Sequence, residues 1–129
     1  MASITLKGDP KSTQHIYRST CRGSFPTTYM TPEGKALKEQ YQWEAKVQWK
    51  RPILTGPLSM HIRFFFGSKR KRDLDNQNKL VLDALTGIAY EDDSQIDELH
   101  LYRHYDKSAP RIEIELVPTR MAEPKWAEQ

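Results

Sequence analysis

The chain has 129 residues, 37% hydrophobic and 29% charged, with a formal net charge of +3 and a pI near 9.0. That length allows one core and one domain, the composition excludes a disordered chain, and the mild excess of Lys and Arg permits a nucleic-acid partner without requiring one. Cys21 is the only cysteine, which excludes an internal disulfide and a cysteine-rich zinc site, and no run approaches the ~20 apolar residues of a membrane span, so a soluble, cytoplasmic protein is expected.

Ile4 and Leu6 alternate with polar neighbours in a short strand that ends at Gly8-Asp9-Pro10. Lys11 to Thr28 is rich in Ser, Thr and Gly and reads as a long loop, with a short extended piece around His15 to Arg18. Thr31-Pro32-Glu33 supplies an N-cap, a proline at the first helical position and an acid in the first turn. A helix is therefore predicted to about Val47, with Leu37, Tyr41 and Ala45 on its buried stripe. After Pro52, Gly56 and Pro57, the residues Leu58, Met60, Ile62, Phe64 and Phe66 alternate as a long strand, with Phe65 on its other face.

Four consecutive basic residues, Lys69 to Arg72, follow this strand. A second helix is predicted from Asp73 or Leu74 to Thr86, with Val81, Leu82 and Leu85 on its apolar side and Gly87 closing it. A turn carrying Tyr90-Glu91-Asp92-Asp93 leads to a strand at Ile96 to Tyr105, and Ile112, Ile114 and Leu116 alternate in a last strand. Residues 118–129 read as a flexible tail behind a single domain, 1–117. This order predicts an α+β fold, two main helices on one face of a small mixed sheet.

The chemistry concentrates between residues 69 and 98, where the basic strip is followed by Asp73 and Asp75 and then by Asp92-Asp93. Clustered carboxylates repel one another unless a divalent cation neutralises them or some take up protons. An ordinary reading also exists, in which Asp73 or Asp75 caps the helix, Lys79 pairs with Asp75 or Asp83, and the basic strip is a solvated turn. A calcium loop beginning at Asp73 fails, because Asn78 stands where the glycine is needed and Ala84 where the bidentate Glu belongs. A hard cation held by a few carboxylates and waters fits magnesium better. A helix of four turns spans ~20 Å, so Asp93 reaches Asp73 only if the chain doubles back along it.

The set Arg72-Asp73-Leu74-Asp75-Asn76, Lys79, Asp83-Ala84-Leu85 and Asp92-Asp93 followed by Gln95 resembles the RusA family of Holliday-junction resolvases. The resemblance is close from Phe64 to Leu116 and looser before that. It implies a RusA-like α+β fold and a magnesium-dependent endodeoxyribonuclease, with manganese able to substitute, that works as a homodimer on four-way junction DNA in recombination and repair. It makes Asp73, Asp75 and Asp93 catalytic carboxylates and metal ligands, with Asp92 a further candidate ligand, and Lys79 a catalytic cation near the scissile phosphate. Arg72 matches a basic family position that supports DNA contact, and Lys69, Arg70 and Lys71 would bind the DNA backbone rather than read bases. The loop of residues 9–28 matches the family poorly, leaving Phe25 or Tyr17 as guesses for a junction wedge. Two rivals stay open: a non-catalytic nucleic-acid-binding domain, and a metal nuclease acting on flaps or single strands.

A two-fold dimer suits a junction with two equivalent strands to cut, and Phe65 is a candidate for its interface. His100 and His104 suit a shared metal only on a helix, and their segment alternates as a strand. His15 and His61 read as isolated, Cys21 as a loop or core thiol, and Trp43 and Trp49 as core or interface residues.

Overall fold

The structure, a computed structural model, describes residues 2–11, 17–22, 25–70 and 74–119. The side chains of 17–28, 75 and 76 lie outside that description. Strand β1 (Ala2–Lys7) is followed by β2 (Tyr17–Arg22), β3 (Phe25–Met30), helix α1 (Pro32–Gln48) and β4 (Leu58–Phe66). A 3-10 turn (Leu74–Gln77), helix α2 (Lys79–Leu85), a second 3-10 turn (Asp93–Gln95), β5 (Ile96–Tyr105) and β6 (Arg111–Pro118) complete it. The α+β mixed sheet expected from the sequence is present, in the order β1-β6-β4-β5. β6 runs antiparallel to both β1 and β4, whereas β5 runs parallel to β4, with Leu58 opposite Ile96 and Phe66 opposite Tyr105.

The core lies on one face of this sheet and follows the period-2 alternation of its strands. Ile4 and Leu6 from β1, Ile112, Ile114 and Leu116 from β6, and Met60, Ile62, Phe64 and Phe66 from β4 are buried together with Tyr41 and Ala45 of α1 and Leu80, Val81, Ala84 and Leu85 of α2. Helix α1 starts as its sequence dictates, the Thr31 hydroxyl accepting from Gly34 N at 3.0 Å with Pro32 in the first turn. It also seals the β1 edge. Gln48 Oε1 accepts from Thr5 N at 2.8 Å, Gln48 Nε2 donates to Thr5 O at 2.7 Å, and Glu44 Oε1 accepts from Lys7 N at 3.2 Å.

Several expectations need correction. The segment read as a long loop contains β2 and β3, which form their own antiparallel two-stranded sheet. Trp43, read as a core or interface residue, is not in the core: it is 68% exposed, because it stands two positions from both Tyr41 and Ala45 and so projects from the opposite side of α1. Trp49 does pack against the core, with the Arg51 guanidinium 5.5 Å above its ring. His61 is not isolated; it stacks on His100 with ring centroids 4.4 Å apart, and its Nδ1 lies 3.0 Å from the Tyr102 hydroxyl. His100 and His104 lie on β5 as the alternation predicted, and four strand residues separate them by ~13 Å. Of the predicted tail, Pro118 belongs to β6 and Thr119 N donates to Pro57 O at 3.1 Å; residues 120–129 lie outside the described residues.

The β5–β6 turn is held by charge. Arg111 Nη1 donates to Asp106 Oδ2 at 2.7 Å, and its Nε donates to Glu113 Oε2 at 2.7 Å. The same guanidinium covers Phe65 at 3.8 Å from the ring centroid, and His104 stacks on that ring at 4.8 Å. Phe65 is therefore covered within its own chain and does not present the open apolar patch expected of an interface.

Arg111 first, and then Ser108, hold the Asp106 carboxyl below the usual carboxylate range. A folded-state pKa below the unfolded value adds stability at neutral pH, which is lost as pH falls through the folded value. Asp106→Asn should therefore lower the melting temperature at pH 7 and flatten its decline below about pH 4, read by thermal melts across pH. Ile62→Ala, a truncation at a fully buried position of β4, should cost about 2–5 kcal/mol in urea denaturation.

Candidate active site

The basic turn leaves the C-terminal end of β4. Gly67 N donates to Asp9 Oδ1 at 3.1 Å, and a Cβ at Gly67 would stand 3.0 Å from Pro110 Cγ, so glycine lets the turn pass close beneath that ring. Lys69 and Arg70 are exposed, with Lys69 Nζ 5.8 Å from the Tyr105 ring centroid. Lys71, Arg72 and Asp73 lie outside the described residues.

The predicted second helix is divided. Leu74–Gln77 is a 3-10 turn, Asn78 interrupts, and the α-helical stretch is only Lys79–Leu85. Gln77 turns inward and is buried, its Oε1 without a hydrogen-bond partner among the described residues. A 3-10 turn advances three residues per turn, so the stripe expected along Asp75, Lys79 and Asp83 does not continue through the break. Lys79 and Asp83 still share one face of α2, one turn apart. The backbone of Asp75 lies in the 3-10 turn, and its side chain is outside the described residues.

The acidic turn is built more tightly than its sequence suggested. Asp92 caps the 3-10 turn Asp93–Gln95, its Oδ1 accepting from Ser94 N at 3.1 Å. Gln95 Oε1 accepts from Glu91 N at 2.8 Å and Asp92 N at 3.1 Å, and its Nε2 donates to Leu54 O and Gly56 O, both at 3.0 Å. Gln95 thus pins the carboxylate turn to the loop before β4. The sequence motif contained Gln95 but gave it no role, although Asp92 followed three residues later by Gln is the pattern of a capping box.

Electrostatics tie three carboxylates together here. The Ser94 N–H and a hydrogen bond from Asp93 hold Asp92 below the ordinary carboxylate range. Asp93 is pushed up by that same hydrogen bond, by partial desolvation, and by the charges of Asp92 and Asp83. Asp83 is the addition that sequence reasoning missed as a neighbour of Asp93. Beneath them Tyr90 is buried, its hydroxyl donating to Leu82 O at 2.6 Å, and burial raises its pKa. Adjacent carboxylates are hard oxygen donors of the kind magnesium selects, and a divalent cation would offset their mutual repulsion. Among the described residues no three or more His, Cys, Asp or Glu are grouped so as to hold a metal ion.

The parallel pairing of β4 and β5 fixes where these parts stand. The Asp92-Asp93 turn precedes Ile96 and so lies at the Leu58 end of β4, while Lys69 and Arg70 follow Phe66 at the other end. Nine strand residues separate the two ends by ~26 Å. Within one chain the structure sets Asp92 beside Asp93, with the charge of Asp83 felt at Asp93, and keeps Lys69 and Arg70 remote from them.

A family model for endodeoxyribonuclease RusA matches residues 7–117. The chain belongs to the RusA family. It is 29% identical over 132 residues to the uncharacterized protein YqaN of Bacillus subtilis, a match that takes in 86% of this chain and 92% of that protein. It is 26% identical over 113 residues to the crossover junction endodeoxyribonuclease RusA of Escherichia coli K12, covering 87% of this chain and 90% of that enzyme. The RusA of Aquifex aeolicus is 26% identical over 111 residues, covering 84% and 83%. The RusA match contains all the carboxylates named above, Lys79 and the basic strip. Among the described residues no helix is long and apolar enough to cross a membrane.

Gln95→Ala removes the four side-chain bonds that set the Asp92-Asp93 turn. We expect a loss of about 1–3 kcal/mol of stability, read in denaturant unfolding. A variant as stable as the parent would contradict the bracing role.

Proposed function

We propose that this chain is a magnesium-dependent endodeoxyribonuclease that resolves Holliday junctions by paired, symmetric nicks, and that it acts as a homodimer. The observation that carries this reading is the RusA match across residues 7–117, which spans every residue assigned a role. Asp73, Asp75 and Asp93 would hold the metal, with Asp92 a further candidate ligand. A bound divalent cation supplies Lewis acidity to the attacking water and offsets charge on the leaving oxygen.

The chain's own residues do the rest. Gln95 and Ser94 hold the Asp92-Asp93 turn in place, Asp93 would offer its carboxylate to the cation, and Lys79 would place a fixed positive charge toward the non-bridging phosphate oxygens. Lys69, Arg70, Lys71 and Arg72 grip the phosphate backbone, so affinity should fall with salt. Two sites related by a two-fold axis match the two equivalent strands of a junction.

The capping role of Asp92 favours the rival in which the acids are only structural and the chain binds nucleic acid without cutting it. One experiment separates the readings: a synthetic four-way junction, a flap and a linear duplex are each incubated with magnesium or with chelator. Junction nicking that needs magnesium, and that falls by several powers of ten in Asp75→Asn and Asp93→Asn while binding persists, is expected; each tenfold loss is about 1.4 kcal/mol. No cutting under any condition would favour the binder, and predominant flap cutting the other nuclease.

A further inference from the structure

The later turns of α1, the segment that leaves it and the turn that ends α2 enclose an open cleft of about 620 Å³, with Glu39, Trp43, Lys46, Trp49, Arg51 and Ile88 among its walls. That volume lies within the ~300–1,000 Å³ of ligand clefts. Glu39, Trp43 and Lys46 recur at spacings of four and three and so share one face of α1. The two tryptophans are placed differently. Trp49 packs against the core and carries the Arg51 guanidinium 5.5 Å above its ring. Trp43 is 68% exposed, and among the described residues no ring or cation lies on it.

Charge and shape together indicate what such a cleft takes. Lys46 and Arg51 are exposed, and among the described residues neither forms an ion pair. Lys50, beside Arg51, is exposed as well. Against them the walls set Glu39, so the cleft favours an anion. Trp43 adds an open indole face. A strand of unpaired DNA presents base and phosphate in alternation, and proteins hold such strands on aromatic platforms set beside cations. Paired DNA offers its phosphates to the cations but keeps its bases stacked on one another, leaving the indole with nothing to cover it.

The cleft also lies next to the acidic turn. Leu54 N donates to Ala89 O at 2.8 Å, and Gln95 Nε2 donates to Leu54 O at 3.0 Å. The segment that follows Arg51 is thereby tied both to the end of α2 and to the residue that sets the Asp92-Asp93 turn. Four residues part Ile88 from Asp92, so this wall of the cleft is within ~14 Å of the turn. A strand advances ~3.4 Å per nucleotide in a duplex, so one with a phosphate at Asp92-Asp93 reaches the Ile88 wall within about four nucleotides. We propose that the cleft holds an unpaired nucleotide of the DNA strand that runs to the acidic turn, its base stacked on Trp43 and its phosphates against Lys46 and Arg51.

The occupant rests on the nuclease reading, and the test therefore reads binding without cutting. A labelled linear duplex, and the same duplex with a few unpaired thymines bulged at its centre, are titrated in chelator with the full chain and with Trp43→Ala, Trp43→Phe and Arg51→Ala. Thermal melts establish that each variant is folded. The parent should prefer the bulged probe, which should quench its tryptophan fluorescence more than the duplex does. Trp43→Ala should bind the bulged probe about tenfold more weakly and the duplex unchanged, and Trp43→Phe should recover most of the loss. Arg51→Ala should reduce the salt slope on the bulged probe by about one. A parent with no preference for the bulge, Trp43→Ala binding that is unchanged or equally weakened on both probes, or a Phe variant as weak as the Ala variant would each overturn the proposal. Nicking can fail with this pattern intact, in which case the cleft serves the rival that binds without cutting, and the pattern can fail while nicking persists.

Discussion

The parallel pairing of β4 with β5 is the constraint on which the rest of this molecule depends. A hairpin cannot join parallel strands, so the chain leaving Phe66 must cross back to the Leu58 end before β5 can begin. The 3-10 turn Leu74–Gln77 and helix α2 make that return, and their buried side, from Gln77 to Leu85, covers the same sheet face as α1. The crossover therefore lays residues 74–85 over the core, delivers the acidic turn to one end of the sheet, and leaves the basic turn at the other. It also makes β5 an edge. Site layout and the character of the exposed edge are thus two results of one topological choice.

At the acidic end, local hydrogen bonding works against charge repulsion. Adjacent Asp92 and Asp93 would separate if free, but Ser94 N–H ties down one and Gln95 clamps four backbone groups around them. On the proposed reading such a turn would need little rearrangement to take up a cation, because its backbone is already restrained in the folded chain. The remaining cost is charge, with Asp93 raised by Asp92 and Asp83, which a divalent ion would remove. Tyr90 supports this from below, its ring in the core and its hydroxyl on the Leu82 carbonyl.

Much of the architecture was legible in the sequence. The clean alternation of Leu58 to Phe66 and of Arg111 to Leu116, and the Thr31-Pro32 start of α1, fix elements whose bounds agree with the structure within a residue or two. What escaped did so for physical reasons. β2 and β3 pair only with each other, so their Ser- and Thr-rich sequence carries no sheet-core alternation. The break at Asn78 was hidden because Asp, Asn and Gln are compatible with either kind of helix at a first turn, and only the inward turn of Gln77 reveals it. The His61–His100 stack and the cover over Phe65 arise from cross-strand register, which a single strand does not encode. Of the candidate site, Asp92 and Asp93 could be named from their pattern, whereas Asp83 as their neighbour follows from how the chain leaves α2.

The central claim is that carboxylates from two separate parts of the polypeptide serve one cation. Titrating the isotopically labelled, full-length protein with manganese and following paramagnetic broadening of its backbone amide signals tests this most directly. The account predicts that amides of residues 74–77 and of 92–95 broaden together at the same low manganese concentration, and that both are spared when Asp93→Asn is titrated. Broadening confined to one of the two segments, or spread evenly over acidic surface residues such as Glu33 and Glu39, would contradict it.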